Sequence, residues 1–346
     1  MFTRRAGLVA LGSAALLLTG CGTTESGTAA KRVGGDDGKI TIGWSVALFN
    51  HPFYQKMMKG AQAAAAEQGI ELLMVDGKGD PAIQSDQLNN FIAQKVDGII
   101  LSAAISDPMI PAIKAVNDAK IPFEVLDRRI ATQGSGITWD VLVSWDMVKS
   151  GAIGGEQIVK ALGGKGKIAV VEGSAGAGST IDRGEGFYGV LKKNPGMEVV
   201  YKGDGNFTRT DGQRVTEAIL QRFPVGQLDG IYFMADDMAY GGLQAIKSAG
   251  RLGEFPIVSV DGQKEAMDIM RAGETQYEAM AFPQDSGYIG VTVLSKMLKG
   301  EDPDLAKQEY EGRKAGFLQF EGMPWVRPDV YPVDKSNMKD PEFLGW

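Results

Sequence analysis

Short β-type runs alternate with longer helical patterns from Ile40 onward, and this alternation restricts the chain to parallel sheets with helices on both faces. Ile40 to Val46, Glu71 to Val75, Gly98 to Leu101, Pro122 to Leu126, Lys167 to Val171, Met197 to Tyr201, Gly230 to Met234 and Pro256 to Val260 read as strands. Between them, Phe53 to Gln68, Ala82 to Lys95, Met109 to Ala119, Ser150 to Leu162, Gly184 to Lys193, Gly212 to Phe223 and Tyr240 to Ala249 carry apolar residues at helical spacing. The predicted class is α/β, built from doubly wound parallel sheets. At 346 residues the chain is long enough for two domains at roughly 150 residues each, so two lobes are expected.

In open sheets of this kind ligands sit beyond the carboxyl ends of the strands, which makes the residues after each strand the site candidates. Asn50, His51, Phe53 and Tyr54 follow the first strand, Asp127 and Arg128 follow Leu126, and Trp145 follows Val143. The second half repeats the pattern: Arg183 lies beyond the loop after Val171, Phe207 follows the Tyr201 run, Asp236 follows Met234, and Asp261 follows Val260. Two lobes facing one another with these edges would enclose a cleft for a small molecule. Each residue also has a plainer role open to it. Asp127 and Arg128 could form a surface ion pair, Asp236 could cap a helix, His51 could satisfy a loop, and Phe53, Tyr54 and Phe207 could be core.

The residue types point to a neutral polyol. Carboxylates accept the hydrogens its hydroxyls donate, guanidiniums and amides donate to its oxygens, and aromatic rings cover its C–H faces. Three acids (Asp127, Asp236, Asp261) against two arginines (Arg128, Arg183) leave no positive excess for an anion, which disfavours a sugar acid. Other chemistries are excluded by composition. One Cys and one His rule out an internal disulfide and a Cys/His metal site, and a net charge of -7 gives no footprint for nucleic acid. No cofactor is called for. GEGFYG (184–189) fits a dinucleotide glycine pattern but falls within a helical pattern, and GSAGAGST (173–180) lacks the phosphate-loop lysine.

Residues 1–21 combine Arg4 and Arg5 with an apolar run from Leu8 to Leu18 and small residues before the sole cysteine, which is the pattern of an export signal. LTGC (18–21) resembles the bacterial lipobox, after which cleavage leaves Cys21 lipid-modified. The apolar run falls short of the ~20 residues that span a bilayer. Residues 22–38 are Gly, Thr, Ser, Ala and charge, a flexible tether. The expected location is the outer face of the cytoplasmic membrane, with the export route, general secretory or twin-arginine, left open.

NHPFY (50–54), VLDRR (125–129), DRGEGF (182–187), DDMAYGGL (236–243) and VDGQ (260–263), in this order and spacing, resemble the sugar-binding proteins of ABC importers with the type I periplasmic fold, the ribose and galactose group. The likeness runs from about Ile40 to Lys299. It implies two lobes joined by three crossovers, near Val143 to Asp146, Ala279 to Phe282 and Glu309 to Arg313, that close around a ligand. The lobes would then be 39–144 with 282–310, and 145–281 with 311–346. It implies ligand contacts by Asn50 and His51 from the first-strand loop, stacking by Phe53 and Tyr54, and hydroxyl clamps at Asp127 and Arg128. Arg183, Phe207, Asp236 and Asp261 match the second lobe's positions, and Trp145 lies at a crossover. Ala281 and the 102–104 segment depart from the family's polar choices, which puts ribose itself in doubt but not a sugar or polyol.

The resemblance further implies a monomer that delivers its sugar or polyol to the permease of an ABC importer. A sugar-sensing receptor for a signalling partner and, further off, a glycosidase using two of the aspartates remain as alternatives. Beyond Asp302 the likeness fades, and EGMPWVRPDVYPVDKSNMKDPEFLGW (321–346) reads as a proline-rich strap packed on one lobe.

Overall fold

The computed structural model describes residues 38–130, 132 and 134–346; the export signal, Cys21 and nearly all of the tether lie outside them. In chain order the first elements are β1 (Thr41–Val46), α1 (Pro52–Gln68), β2 (Glu71–Asp76), α2 (Pro81–Gln94), β3 (Gly98–Leu101), α3 (Ile110–Asp118), β4 (Phe123–Leu126) and β5 (Val141–Val143). Next come α4 (Met147–Ala161), β6 (Gly166–Glu172), α5 (Gly178–Lys192), β7 (Met197–Asp204), α6 (Arg209–Arg222), β8 (Gly230–Phe233), α7 (Asp236–Ser248), β9 (Ile257–Asp261), α8 (Lys264–Arg271) and β10 (Tyr277–Met280). The chain then forms α9 (Pro283–Lys299), β11 (Glu309–Tyr310), β12 (Arg313–Phe320), β13 (Met323–Pro328) and β14 (Tyr331–Val333).

Two sheets result, and their parallel parts repeat one order. The first runs β2-β1-β3-β4-β5 and the second β7-β6-β8-β9-β10, so each has a switch point beside its first strand. The central strands β3, β4 and β8 are buried along their whole length, as strands covered on both faces must be. Trp44 of β1 lies fully buried and donates to Ser102 Oγ at 3.1 Å. In the second lobe Phe187 stacks on Tyr232 with centroids 4.1 Å apart.

The chain passes between lobes at 144–146, where β5 gives way to a helix packed on β9 and β10, and at 281–282, where β10 gives way to α9, packed on α1 and β4. The third passage corrects the expectation. It lies between Pro328 and Tyr331 rather than at Glu309 to Arg313, because β12 and β13 extend the first sheet beyond β5. Residues 313–328 therefore belong to the first lobe, and 321–346 is not a strap on one lobe but a hairpin arm, a crossover and an edge strand on β10. Pro324 and Pro328 hid this strand from a sequence reading. β5 pairs only with Trp325 and Val326, so neither proline faces a missing ladder bond on that side.

Candidate functional site

At the carboxyl ends of both parallel sheets, where the lobes meet, a small cavity is lined by His51, Phe53, Tyr54, Asp127, Arg128, Met147, Ser179, Arg183, Phe207 and Asp261. The first lobe supplies its wall from the β1–α1 turn and the end of β4. Pro52 opens α1 at a position that needs no amide, and His51 caps it, with Nδ1 accepting from the Phe53 N–H at 3.3 Å. The imidazole proton is thereby left on Nε2, 3.6 Å from Asp237 Oδ2 of the second lobe. Burial pushes the His51 pKa down to about 4, with Arg128 and Arg183 adding to the effect and Asp237 opposing it, so the ring is neutral at physiological pH.

Asp127 follows β4 with φ at 77°, a strained setting that aims its side chain inward. Tyr54 Oη donates to Asp127 Oδ2 at 2.7 Å, and Trp145 Nε1 reaches Oδ1 at 3.4 Å. Burial raises the Asp127 pKa, against the pull of Arg128 and of the Tyr54 hydroxyl. Arg128 is held by two backbone acceptors, its Nη1 donating to Ala103 O at 3.3 Å and Ala104 O at 2.9 Å. The segment after β3, which lacks a polar side chain at this point, thus contributes carbonyls instead.

The second lobe supplies Arg183 from within α5. Its Nη2 donates to Asp261 Oδ1 at 2.7 Å, its Nη1 donates to the Met234 carbonyl, and its guanidinium lies 4.9 Å from the Trp145 ring. Arg183 Nε is buried with no partner among the described residues. Asp261 has φ at 131°, and burial lifts its pKa to about 6 against the neighbouring Arg183. Phe207 packs 5.1 Å beneath the Arg128 guanidinium, so a ring of one lobe meets a cation of the other. A side chain at Gly173 would occupy the Phe207 ring, and one at Gly178 would strike the Arg129 carbonyl. The glycine-rich loop is therefore explained by close approach.

The fold and the sequence are matched among known proteins. A model of the periplasmic binding protein domain fits residues 42–302. The chain belongs to this family. The ribose import binding protein of Bacillus subtilis (strain 168) is 30% identical over 82% of this chain and 90% of its own length. The xylitol-binding protein of Mycolicibacterium smegmatis is 28% identical over 85% of this chain and 80% of its own. Among solved structures, the binding protein of the arabinose ABC transporter from Shewanella sp. ANA-3, bound to L-arabinofuranose, has a TM-score of 0.73 at 26% identity and covers 86% of this chain and 93% of its own.

In this periplasmic binding protein, three of the residues expected at the site do not line the cavity. Asn50 is exposed. Trp145 is buried behind Asp127 and Arg183, touching both. Asp236 is committed to the backbone, its Oδ2 accepting from the Gly262 N–H at 3.0 Å and the Gln263 N–H at 2.8 Å, which fixes the turn that carries Asp261. Burial raises its pKa well above the usual range, helped by Glu278 and Asp261. Asp237, which also follows Met234 but lies outside the expected site set, takes Gln263 Nε2 at 2.9 Å and faces His51 across the cleft. Its only signal was its place as the second acid after a strand end. Met147 lines the cavity with no motif to mark it, and Ser179 does so from the GSAGAGST segment (173–180).

Arg129 and Asp182 also join the lobes, through Arg129 Nε to Asp182 Oδ2 at 2.8 Å and Arg129 Nη2 to Oδ1 at 2.7 Å. This fork lies beside the cavity, not in its wall, and the Arg129 guanidinium rests 4.6 Å over Phe320 of β12. The newly placed hairpin thus backs an interlobe contact.

Proposed function

We propose that the protein captures a monosaccharide or polyol between its lobes and delivers it to the permease of an ABC importer. The observation that carries this reading is the composition of one surface between the lobes. Asp127 and Asp261 as acceptors, Arg128 and Arg183 as donors, and the rings of Phe53, Tyr54 and Phe207 converge on a single cavity from both lobes. Hydroxyls need both donors and acceptors, and C–H faces need apolar cover; each kind is present. Charged groups strengthen such hydrogen bonds to about 1.5–3 kcal/mol apiece. The relatives named for ribose and xylitol, and the neighbour holding arabinofuranose, support the same class.

Closure follows from differential contact, because a guest touching both walls binds the closed form better than the open one. All eight of the sequence-derived residues that line the cavity, His51, Phe53, Tyr54, Asp127, Arg128, Arg183, Phe207 and Asp261, are assigned to the guest. Asn50 takes a place at the mouth, and Trp145 and Asp236 hold the wall in position. Calorimetry over pentoses, hexoses, polyols and sugar acids tests the reading: saturable binding of at least one neutral member, returned unchanged after incubation, supports capture without turnover. Binding of none, or product formation, overturns it.

The lipid anchor on Cys21 belongs to the same proposal, with the protein monomeric and held at the outer face of the cytoplasmic membrane. Among the described residues no helix is long and apolar enough to cross a membrane. Cys21→Ser is expected to move the protein from the membrane fraction to the soluble one; unchanged partitioning overturns the anchor.

A further inference from the structure

Trp346 stands where the two lobes meet at the edge of the cavity. Its ring lies 5.9 Å from that of Phe53, edge to face at 75°, while its Nε1 donates to the Asp261 carbonyl at 3.0 Å. Phe53 and Asp261 belong to opposite lobes and both line the cavity.

The segment that carries the indole is fastened to the second lobe. Upstream, β14 pairs with β10, and Phe343 is buried with Met267, Met270 and Met280. At the end, the Trp346 N–H donates to the Gly262 carbonyl at 3.4 Å, the Trp346 carbonyl accepts from the Lys264 N–H at 3.1 Å, and Arg271 donates to the Leu344 carbonyl at 3.3 Å. The indole is thus held by one lobe and presses on a ring of the other. Residue 346 lies beyond residues 42–302, the part that the family model matches.

We propose that Trp346 is a latch of the cleft, a ring carried by the second lobe whose contact with Phe53 favours the closed form and slows escape of the guest. The latch rests on the reading of the cavity as a ligand site. A contact made only when the lobes are together shifts the open–closed balance by its own worth, and an edge-to-face aromatic pair corresponds to roughly three- to tenfold.

Hydrogen exchange of the whole protein without added ligand tests the closure. The reporter is residues 104–107, whose Ser106 N–H donates to the Gly176 carbonyl at 3.2 Å across the cleft. Trp346→Ala is expected to speed exchange there about three- to tenfold while residues 98–101 and 230–233, in the two sheet cores, stay unchanged. Trp346→Phe, which keeps a ring against Phe53, should remain near the native rate. No change at 104–107, or an equal rise in the sheet cores, overturns the latch. In a second arm, myo-inositol, xylitol and D-ribose are offered to the native protein and to Trp346→Ala. Whichever binds the native protein should leave the variant about three- to tenfold faster. Equal dissociation rates overturn the latch and leave the ligand site standing. If the native protein binds none of the three and none of the wider calorimetry panel, the site reading fails, and the exchange result still decides the latch.

Discussion

Tyr54 and Asp127, 73 residues apart, are joined by a 2.7 Å hydrogen bond that turns one carboxylate oxygen toward the first turn of α1. The phenol holds Asp127 Oδ2 in place, and the other oxygen reaches Trp145 Nε1 at 3.4 Å, too long to saturate it. Asp127 is therefore oriented with acceptor capacity to spare, as a hydroxyl-binding group has to be.

Asp127→Ala is expected to remove the acceptor and leave Arg128 without its neighbouring charge, weakening binding of the sugar or polyol by about 2–3 kcal/mol, some 30- to 150-fold. Tyr54→Phe keeps the ring and loses only the orienting bond, for a loss of about 1 kcal/mol. Titration calorimetry ranks the two, and equal losses would mean that orientation rather than contact accounts for the effect.

Two groups at the cavity give opposite dependences of stability on pH. Asp261 has its pKa raised by burial to about 6, so it takes a proton more readily folded than unfolded. Its stabilisation is full below about pH 4 and is lost as pH rises through 6. His51, lowered by burial to about 4, works the other way, stabilising above about pH 6.5 and failing as pH falls through 4. Melting curves from pH 4 to 7 should show Asp261→Asn lifting the native profile most at the neutral end, and His51→Gln lifting it most at the acidic end, each by at most a few kcal/mol.

The Arg129–Asp182 fork lies outside the cavity wall but spans the lobes. Asp182→Asn is expected to lower ligand affinity about 5- to 20-fold through loss of the closed form, since a bidentate ion pair gives way to a single bond from the cation to a neutral amide oxygen. The faster ligand dissociation should come with little change in the rate of association.

Phe207 occupies the space where a side chain at Gly173 would project. Gly173→Ala should displace the ring from under Arg128, cost about 1–3 kcal/mol in stability and weaken binding together with it. Thermal unfolding and calorimetry on the same sample report both effects.

Trp325 of β13 is buried and donates from Nε1 to the Ser144 carbonyl at 2.7 Å, tying the hairpin to the first crossover. Trp325→Ala is expected to destabilise the protein by about 3–5 kcal/mol. A surface strap would give a loss below 1 kcal/mol, so the melting temperature distinguishes the two placements.

The chain's own order of residues determined the alternating strands and helices, and the acids, guanidiniums and rings gathered at the strand ends. These are local properties: a buried parallel strand must be apolar throughout, and its end must carry whatever the site displays. Tertiary structure decided what depends on contacts between distant segments. Asp127 and Asp236 read alike in sequence, yet one faces the cavity and the other is taken up by the amides of Gly262 and Gln263. Asp237 became significant only because His51 arrived opposite it. Residues 313–328 joined the first sheet only where Trp325 and Val326 meet β5, and Trp346 gained its position by packing between Phe53 and Asp261. A hydrogen bond or a ring contact depends on distances of a few ångströms between residues far apart along the chain, and only the packed lobes set those distances.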